Sequence, residues 1–405
     1  MSVPLFKMNF NVHKQVKLCG KPKNALLQVS DGLLSYVMSL LREETPVLPE
    51  TSVEEWTGLL EILAPHWILP LLYWKASHLS CELRPPEKIT IIMRDTFLWS
   101  RARCLQRERQ LRNLLDAFNR EKVPILVLKG LAFAGSIYPD PAMRPSDDID
   151  LLTIPENFVK AREIFLNLGY QCFLKRFEAS KDFENQEEFT LKNGSKNNCS
   201  VELHWDLHKF LGNKRNLDIR EFFRRSINVE SSALSFKTFN PIDGLIHAAL
   251  HMVLSHNQDV RLIWIYDCAL LARRLAAPND WEMLKELSIA RGARVAMENS
   301  LKMAEIWTGL KIPGGFNDWP EPSEMDKAVW FNAGCWTENP GVKIRLYLSS
   351  TSSLLEKARY LFRFIFPHPA ILRRYFPYPP SSNWELPLTY LRHWGMWLSR
   401  FIRRF

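Results

Sequence analysis

At 405 residues, with 46% hydrophobic and 24% charged positions, the chain is long enough for two or three folding units, and its composition excludes extensive disorder. Seven scattered cysteines, odd in number and without a Cys-x-x-Cys pair, argue against a cysteine zinc site or a disulfide framework and suit a reducing cytoplasm. The net charge of +9 is uneven: residues 357–405 hold nine basic residues and one acidic residue, so the basic character belongs to a C-terminal tail.

Met1 to Gly20 mixes Lys7, His13, Lys14 and Lys17 with apolar residues, which reads as neither a signal peptide nor a membrane span. Residues 25–120 read as helical. Helices are expected at 33–42 and 53–63, then a long amphipathic one at 91–121 with Leu105, Leu111, Leu114, Leu115 and Phe118 at helical spacing. Val123 to Leu128 is a short apolar run, read as a buried strand that ends in a turn at Lys129-Gly130. There Gly130 would let the backbone approach a phosphate, and Lys129 would supply a compact positive charge. Residues 131–138 suit a short helix. Pro139 and Pro141 mark a loop, and Arg144 is placed to take a phosphate oxygen in a bidentate contact.

The most informative segment follows, Asp148-Ile149-Asp150-Leu151-Leu152. On a strand the two carboxylates share one face and the aliphatic residues the other. Like charges so placed are costly unless a cation lies between them, and carboxylate oxygens are the ligands Mg²⁺ prefers. Asp-x-Asp also arises by chance, so its surroundings carry the reading. A helix from Pro155 to about Leu168 and strands at 170–177, 189–192 and 199–207 come next, with residues 193–198 as a hairpin connection. In the last strand Glu202, His204 and Asp206 share a face; Val201, Leu203 and Trp205 share the other. Glu202 would be a third carboxylate from a neighbouring strand. After Pro241 the chain reads as helical to about Leu310. His247 and His251 stand four apart on one helical face, and Asp267 reads as a buried carboxylate paired within its helical unit. The segments divide as 1–121, an N-terminal helical region; 122–230, an α/β core; 231–322, a helical domain; and 323–405, a basic aromatic helical tail.

Leu128-Lys129-Gly130, Tyr138-Pro139-Asp140-Pro141, Arg144 and Asp148-Ile149-Asp150-Leu151-Leu152 together resemble the motif of an uncharacterised bacterial family of the nucleotidyltransferase superfamily. Trp56 to Tyr73 resembles that family's helical N-terminal region and Ile246 to Leu271 its helical C-terminal half, for a coverage of residues 30–310. The resemblance implies an α+β fold, a small mixed-sheet domain flanked by helices. It also implies metal ligation by Asp148 and Asp150 and nucleotide contact near Lys129 and Gly130; Glu202 is assigned as the third metal-ligating carboxylate from its strand alternation and not from the resemblance. The cofactor would be Mg²⁺ or Mn²⁺, and the substrates a nucleoside triphosphate and an unidentified acceptor. In one respect the chain departs from the superfamily, whose usual signature is a Gly-Gly or Gly-Ser pair about ten residues before the acidic pair. Lys129-Gly130 and Gly135-Ser136 compete for that role. Structural context favours Lys129-Gly130 and makes Ser136 a small residue on a helix.

The leading expectation is therefore a cytoplasmic, Mg²⁺-dependent nucleotidyltransferase. The alternatives are a protein of the same fold that binds nucleotide or scaffolds a partner without turnover, and a membrane-surface adaptor acting through the tail. The sequence has no strong nucleic-acid signature. In the tail, Leu391, Trp394, Leu398, Phe401 and Phe405 recur at helical spacing among arginines. Such a helix either docks its apolar stripe on the protein or lies on an anionic membrane, and docking is the commoner fate.

Overall fold

The computed structural model describes residues 29–172, 185–191, 199–207, 218–230, 234–254, 260–323, 354–367 and 386–402, with isolated positions at 326, 348 and 372. The expected hairpin connection at 193–198 lies outside them. Four helices open the described chain: α1 (Asp31–Arg42), α2 (Val53–Leu63), α3 (Leu69–Ser77) and α4 (Glu87–Arg120). Ser52 starts α2 through a capping box with Glu55, so two of the orphan N–H groups at that helix end are satisfied locally. Helix α4 starts four residues earlier than the periodicity suggests. Of its expected buried face, Leu111, Leu114, Leu115 and Phe118 are buried, but Leu105 is 52% exposed, and Arg107 and Gln110 are buried as well.

The strands are β1 (Leu126–Leu128), β2 (Ile149–Leu152), β3 (Tyr170–Cys172), β4 (Gln186–Leu191) and β5 (Val201–His204), in sheet order β1-β2-β5-β4-β3. Only β2 and β5 run parallel; the other neighbours are antiparallel. β1 is shorter than its apolar run, because Pro124 has no N–H to give a ladder. Helix α5 (Lys129–Ser136) leaves β1 directly, and α6 (Phe158–Asn167) follows β2 after a 3₁₀ turn opened by Pro155. Gly169, at φ 84°, carries the chain from that helix into β3. Helix α7 (Ile219–Arg225) leads into a hairpin of β6 (Ile227–Glu230) and β7 (Ser235–Thr238). The hairpin was not anticipated. Its half-exposed strands carry a mixed, charged pattern, and it is held to the sheet by Thr238 Oγ1 donating to the Val127 carbonyl at 2.7 Å.

Helices α8 (Pro241–Leu254), α9 (Leu262–Ala272), α10 (Pro278–Ala290) and α11 (Arg294–Thr308) complete the fold before the tail. They share one hydrophobic core with α1–α3, built on Tyr36, Trp56, Leu71, Ile263 and Trp307. A second core lies under one sheet face, where Ile149, Leu151, Val201 and Leu203 meet Phe118, Phe158 and Phe165. The opposite face carries a small third core of Leu126, Leu128, Leu152, Ile219, Phe222 and Phe239. Period-two alternation then puts Asp150 and Glu202 on that third-core face, beyond its apolar edge.

In the tail, α12 (Leu354–Ile365) and α13 (Leu386–Ile402) meet. Trp394 Nε1 donates to the Ile365 carbonyl at 2.7 Å, Tyr390 Oη donates to the Pro367 carbonyl at 2.6 Å, and Phe366 lies edge-on to Trp394. Leu391, expected on the docked stripe, is 59% exposed. Phe405 and the side chains of Leu398 and Phe401 lie outside the described residues. Among the described residues no helix is long and apolar enough to cross a membrane.

Candidate metal and nucleotide site

Asp150 and Glu202 are direct partners across the parallel β2–β5 pair, and Leu128 is the partner of Asp150 across β1–β2. The residue after Leu128 is Lys129, whose φ of 44° turns the chain sharply into α5. A left-handed conformation is uncommon for a residue with a Cβ, and here it coincides with an ion pair of Lys129 Nζ to Asp150 Oδ1 at 2.9 Å. The positive φ at this junction thus belongs to Lys129 and not to Gly130. Gly130 matters for a different reason: an added Cβ would lie 2.7 Å from Ser146 Cβ and nearer still to its Oγ. The glycine lets α5 close against the loop that carries the aspartates. Gly135-Ser136 falls in the last turn of α5, where Ser136 Oγ donates to the Ala132 carbonyl at 2.6 Å.

His204 completes the cluster. Its Nε2 lies 3.1 Å from Asp150 Oδ1 and 3.5 Å from Glu202 Oε2, while Nδ1 is buried and makes no hydrogen bond. Asp150, Glu202 and His204 each offer a ligand atom within 4.8 Å of the other two, a set that could hold a metal ion. Sequence reasoning placed His204 on the Glu202 face but gave it no role; the period-two spacing was the available signal. Asp206, the third residue of that face, instead accepts from the Leu207 N–H.

The charges are strongly coupled. Burial alone would raise the Asp150 carboxyl, but Lys129 and His204 hold it well below the usual carboxylate range. Burial likewise opposes charge on Lys129 and His204, and the carboxylates around them outweigh it, so both are raised. Asp148 stands outside the three-residue group, beside Ser146, whose Oγ donates to the Asp148 carbonyl at 2.9 Å. The charge on Asp150, followed by burial, pushes the Asp148 carboxyl up to about 7. That is the repulsion a divalent cation would relieve. Two carboxylates and an imidazole form a donor set compatible with a divalent metal ion, and the ion pair with the Lys129 ammonium places a positive charge on Asp150.

Arg144 is elsewhere. Its Nε and Nη2 donate to the Asp267 carboxylate at 2.8–2.9 Å, and Nη1 donates to the Pro145 carbonyl. Tyr138 Oη donates to the same carboxylate at 2.7 Å. Asp267 therefore pairs across to the α/β core and not within its own helical unit, and the Arg144 side chain, 5% exposed, fastens α9 to the 138–146 loop. His247 and His251 pack on aromatic rings, Phe239 and Trp264 respectively.

A small mixed sheet with acidic side chains on two neighbouring parallel strands, entered through a lysine-headed helix and flanked by helices, is a nucleotidyltransferase-like architecture. The family described as uncharacterised nucleotidyltransferases matches residues 52–309, and the chain belongs to it. No curated protein matches the chain.

Proposed function

We propose that the protein transfers a nucleoside monophosphate from a nucleoside triphosphate to an acceptor nucleophile, using Mg²⁺ or Mn²⁺. The observation that carries this reading is the packing of Asp150, Glu202 and His204 around one point next to a repelled third carboxyl, Asp148, in a chain of this family. In the transfer the acceptor oxygen bonds to the α-phosphorus, the bond from that phosphorus to the bridging oxygen breaks, and pyrophosphate leaves. A bound divalent ion would neutralise charge on the transferring group, which is most of what this chemistry demands.

The chain's own residues have separable tasks. Asp150 and Glu202 would hold the ion, and Asp148 would add to the negative field around it. Lys129, paired with Asp150 in this structure, would supply a positive charge to a phosphate oxygen when a metal ion occupies the carboxylates. Glu202, more exposed than Asp150, takes the acceptor proton. Gly130 keeps α5 seated against Ser146. Arg144, expected at a phosphate, is assigned instead to holding the loop in place. Incubation with α-labelled nucleoside triphosphates and a cell extract tests the reading: label should move to a acceptor in a Mg²⁺-dependent manner and fail to move with Asp150→Asn. Nucleotide binding without labelled product from any extract would leave a binding or scaffold protein.

A further inference from the structure

A second charged feature lies on α4, beside the site and outside the machinery described above. Arg107 is 4% exposed, yet its Nε and Nη2 are buried without a hydrogen-bond partner, and Arg103 Nε is in the same condition. Both guanidiniums reach toward one carboxylate: Arg103 Nη2 and Arg107 Nη2 each lie 3.7 Å from Asp147 Oδ1, too far for a hydrogen bond. Asp147 is 61% exposed and directly precedes Asp148. Two positive charges thus share one loosely held, largely solvated negative charge.

The other buried arginines set the contrast. Arg144 is saturated by Asp267, and Arg291 donates to Asp243 at 2.8 Å. Burial, and among the nearby charges Arg103, disfavour the charge on Arg107, whereas an oxyanion between the two forks would satisfy both. One helical turn further out, Trp99 is 56% exposed and Arg103 stacks on it at 4.7 Å. Trp99, Arg103 and Arg107 therefore line one face of α4, running from solvent towards the aspartate loop.

We propose that Arg103 and Arg107 bind the polyphosphate tail of the donor nucleotide, holding its distal phosphates while the reacting phosphate lies at the carboxylates. This rests on the nucleotidyltransferase reading for the identity of the ligand, but the anion site itself does not. The arginines take the role that Arg144 cannot fill, because a planar fork with free donors recognises phosphate and a fork committed to Asp267 does not.

Calorimetric titration of inorganic tripolyphosphate in EDTA isolates the arginines, since the carboxylates hold no phosphate without a metal. Wild-type protein should bind it in a salt-sensitive manner, and Arg103→Gln or Arg107→Gln should weaken it tenfold or more, with Arg107→Lys intermediate. ATP with Mg²⁺ should lose affinity in the same variants, and AMP should be little affected. Arg103→Gln, at a partly exposed position, keeps the test valid if Arg107→Gln does not fold, and thermal melts identify that case. Absence of tripolyphosphate binding to the wild type, or equal binding by the arginine variants, would overturn the proposal; so would an equal loss for AMP and ATP. Failure of the transfer reading looks different: Asp150→Asn would leave metal-dependent ATP binding untouched while tripolyphosphate still required the arginines.

Discussion

The loop from Tyr138 to Asp150 supplies two buried charge clusters that are built on opposite plans. At one end Arg144 and Asp267 are matched one to one, joined by Tyr138, with the carboxylate filled by donors at 2.7–2.9 Å. At the other, Asp148, Asp150 and Glu202 face one ammonium and one imidazole, and the excess negative charge shows in the raised carboxyl of Asp148. A saturated pair has nothing left to offer a ligand and acts as a fastening. An unsaturated cluster is costly to the folded protein unless something binds there, which is why it points to function.

The contrast is most sharply tested by stability. Arg144→Ala or Asp267→Ala leaves an unpaired buried charge and should destabilise the protein by about 3–5 kcal/mol, while the apolar double replacement Arg144→Met with Asp267→Leu should cost far less than the sum. Urea denaturation reads this directly. Were Arg144 a phosphate ligand instead, its loss would weaken nucleotide binding with little change in the melt.

Gly130→Val drives a branched side chain into Ser146 and should cost about 1–3 kcal/mol of stability. It should also weaken nucleotide binding by tenfold or more, because α5 can no longer seat against the aspartate loop. Ser136→Ala removes only a hydrogen bond within α5 and should stay within about 0.5 kcal/mol. A tenfold loss of nucleotide binding in the serine variant would move the phosphate contact to Gly135-Ser136.

The unsaturated cluster also predicts a pH signature. Asp148 has a folded-state pKa of about 7, above its ordinary value of 3.8, so in the pH range between them the folded state binds more protons than the unfolded state. Its contribution to stability is complete below about pH 4 and is lost as pH rises through 7. In metal-free buffer Asp148→Asn should therefore melt higher than wild type at pH 8, with the difference shrinking towards pH 5. Equal melting curves at both pH values would mean that Asp148 feels no such repulsion.

The smallest effect is expected from the tail. Trp394 and Tyr390 already contact the segment ending at Pro367, while Leu388 and Leu391 remain exposed. Co-sedimentation with anionic liposomes should show little binding by the full chain, and a chain ending at Pro380 should be less stable. Salt-sensitive binding that the truncation removes would instead favour a membrane role.

What was legible in the sequence follows physical locality. The acidic strand, the Lys129-Gly130 junction and the helix following Pro155 are written in adjacent residues, and spacing alone reaches them. Glu202 was reachable by alternation, and its pairing with Asp150 follows from parallel register. The partner of Arg144 was not legible, because Asp267 is 123 residues away and no local pattern encodes a pairing over that distance. One position on the buried face of α4 departs from its periodicity for a related reason. Leucine periodicity favoured Leu105, but the helix turns Arg107 inward toward Asp147.

The central claim is that the Asp150 cluster holds a divalent ion which in turn holds a nucleotide. Calorimetric titration of ATP, with and without Mn²⁺, into wild-type protein and Asp150→Asn tests it most directly. The account predicts binding by the wild type that strengthens at least tenfold with Mn²⁺, about 1.4 kcal/mol, and loss of that gain in the variant. Equal affinities for both proteins, indifferent to the metal, would contradict it.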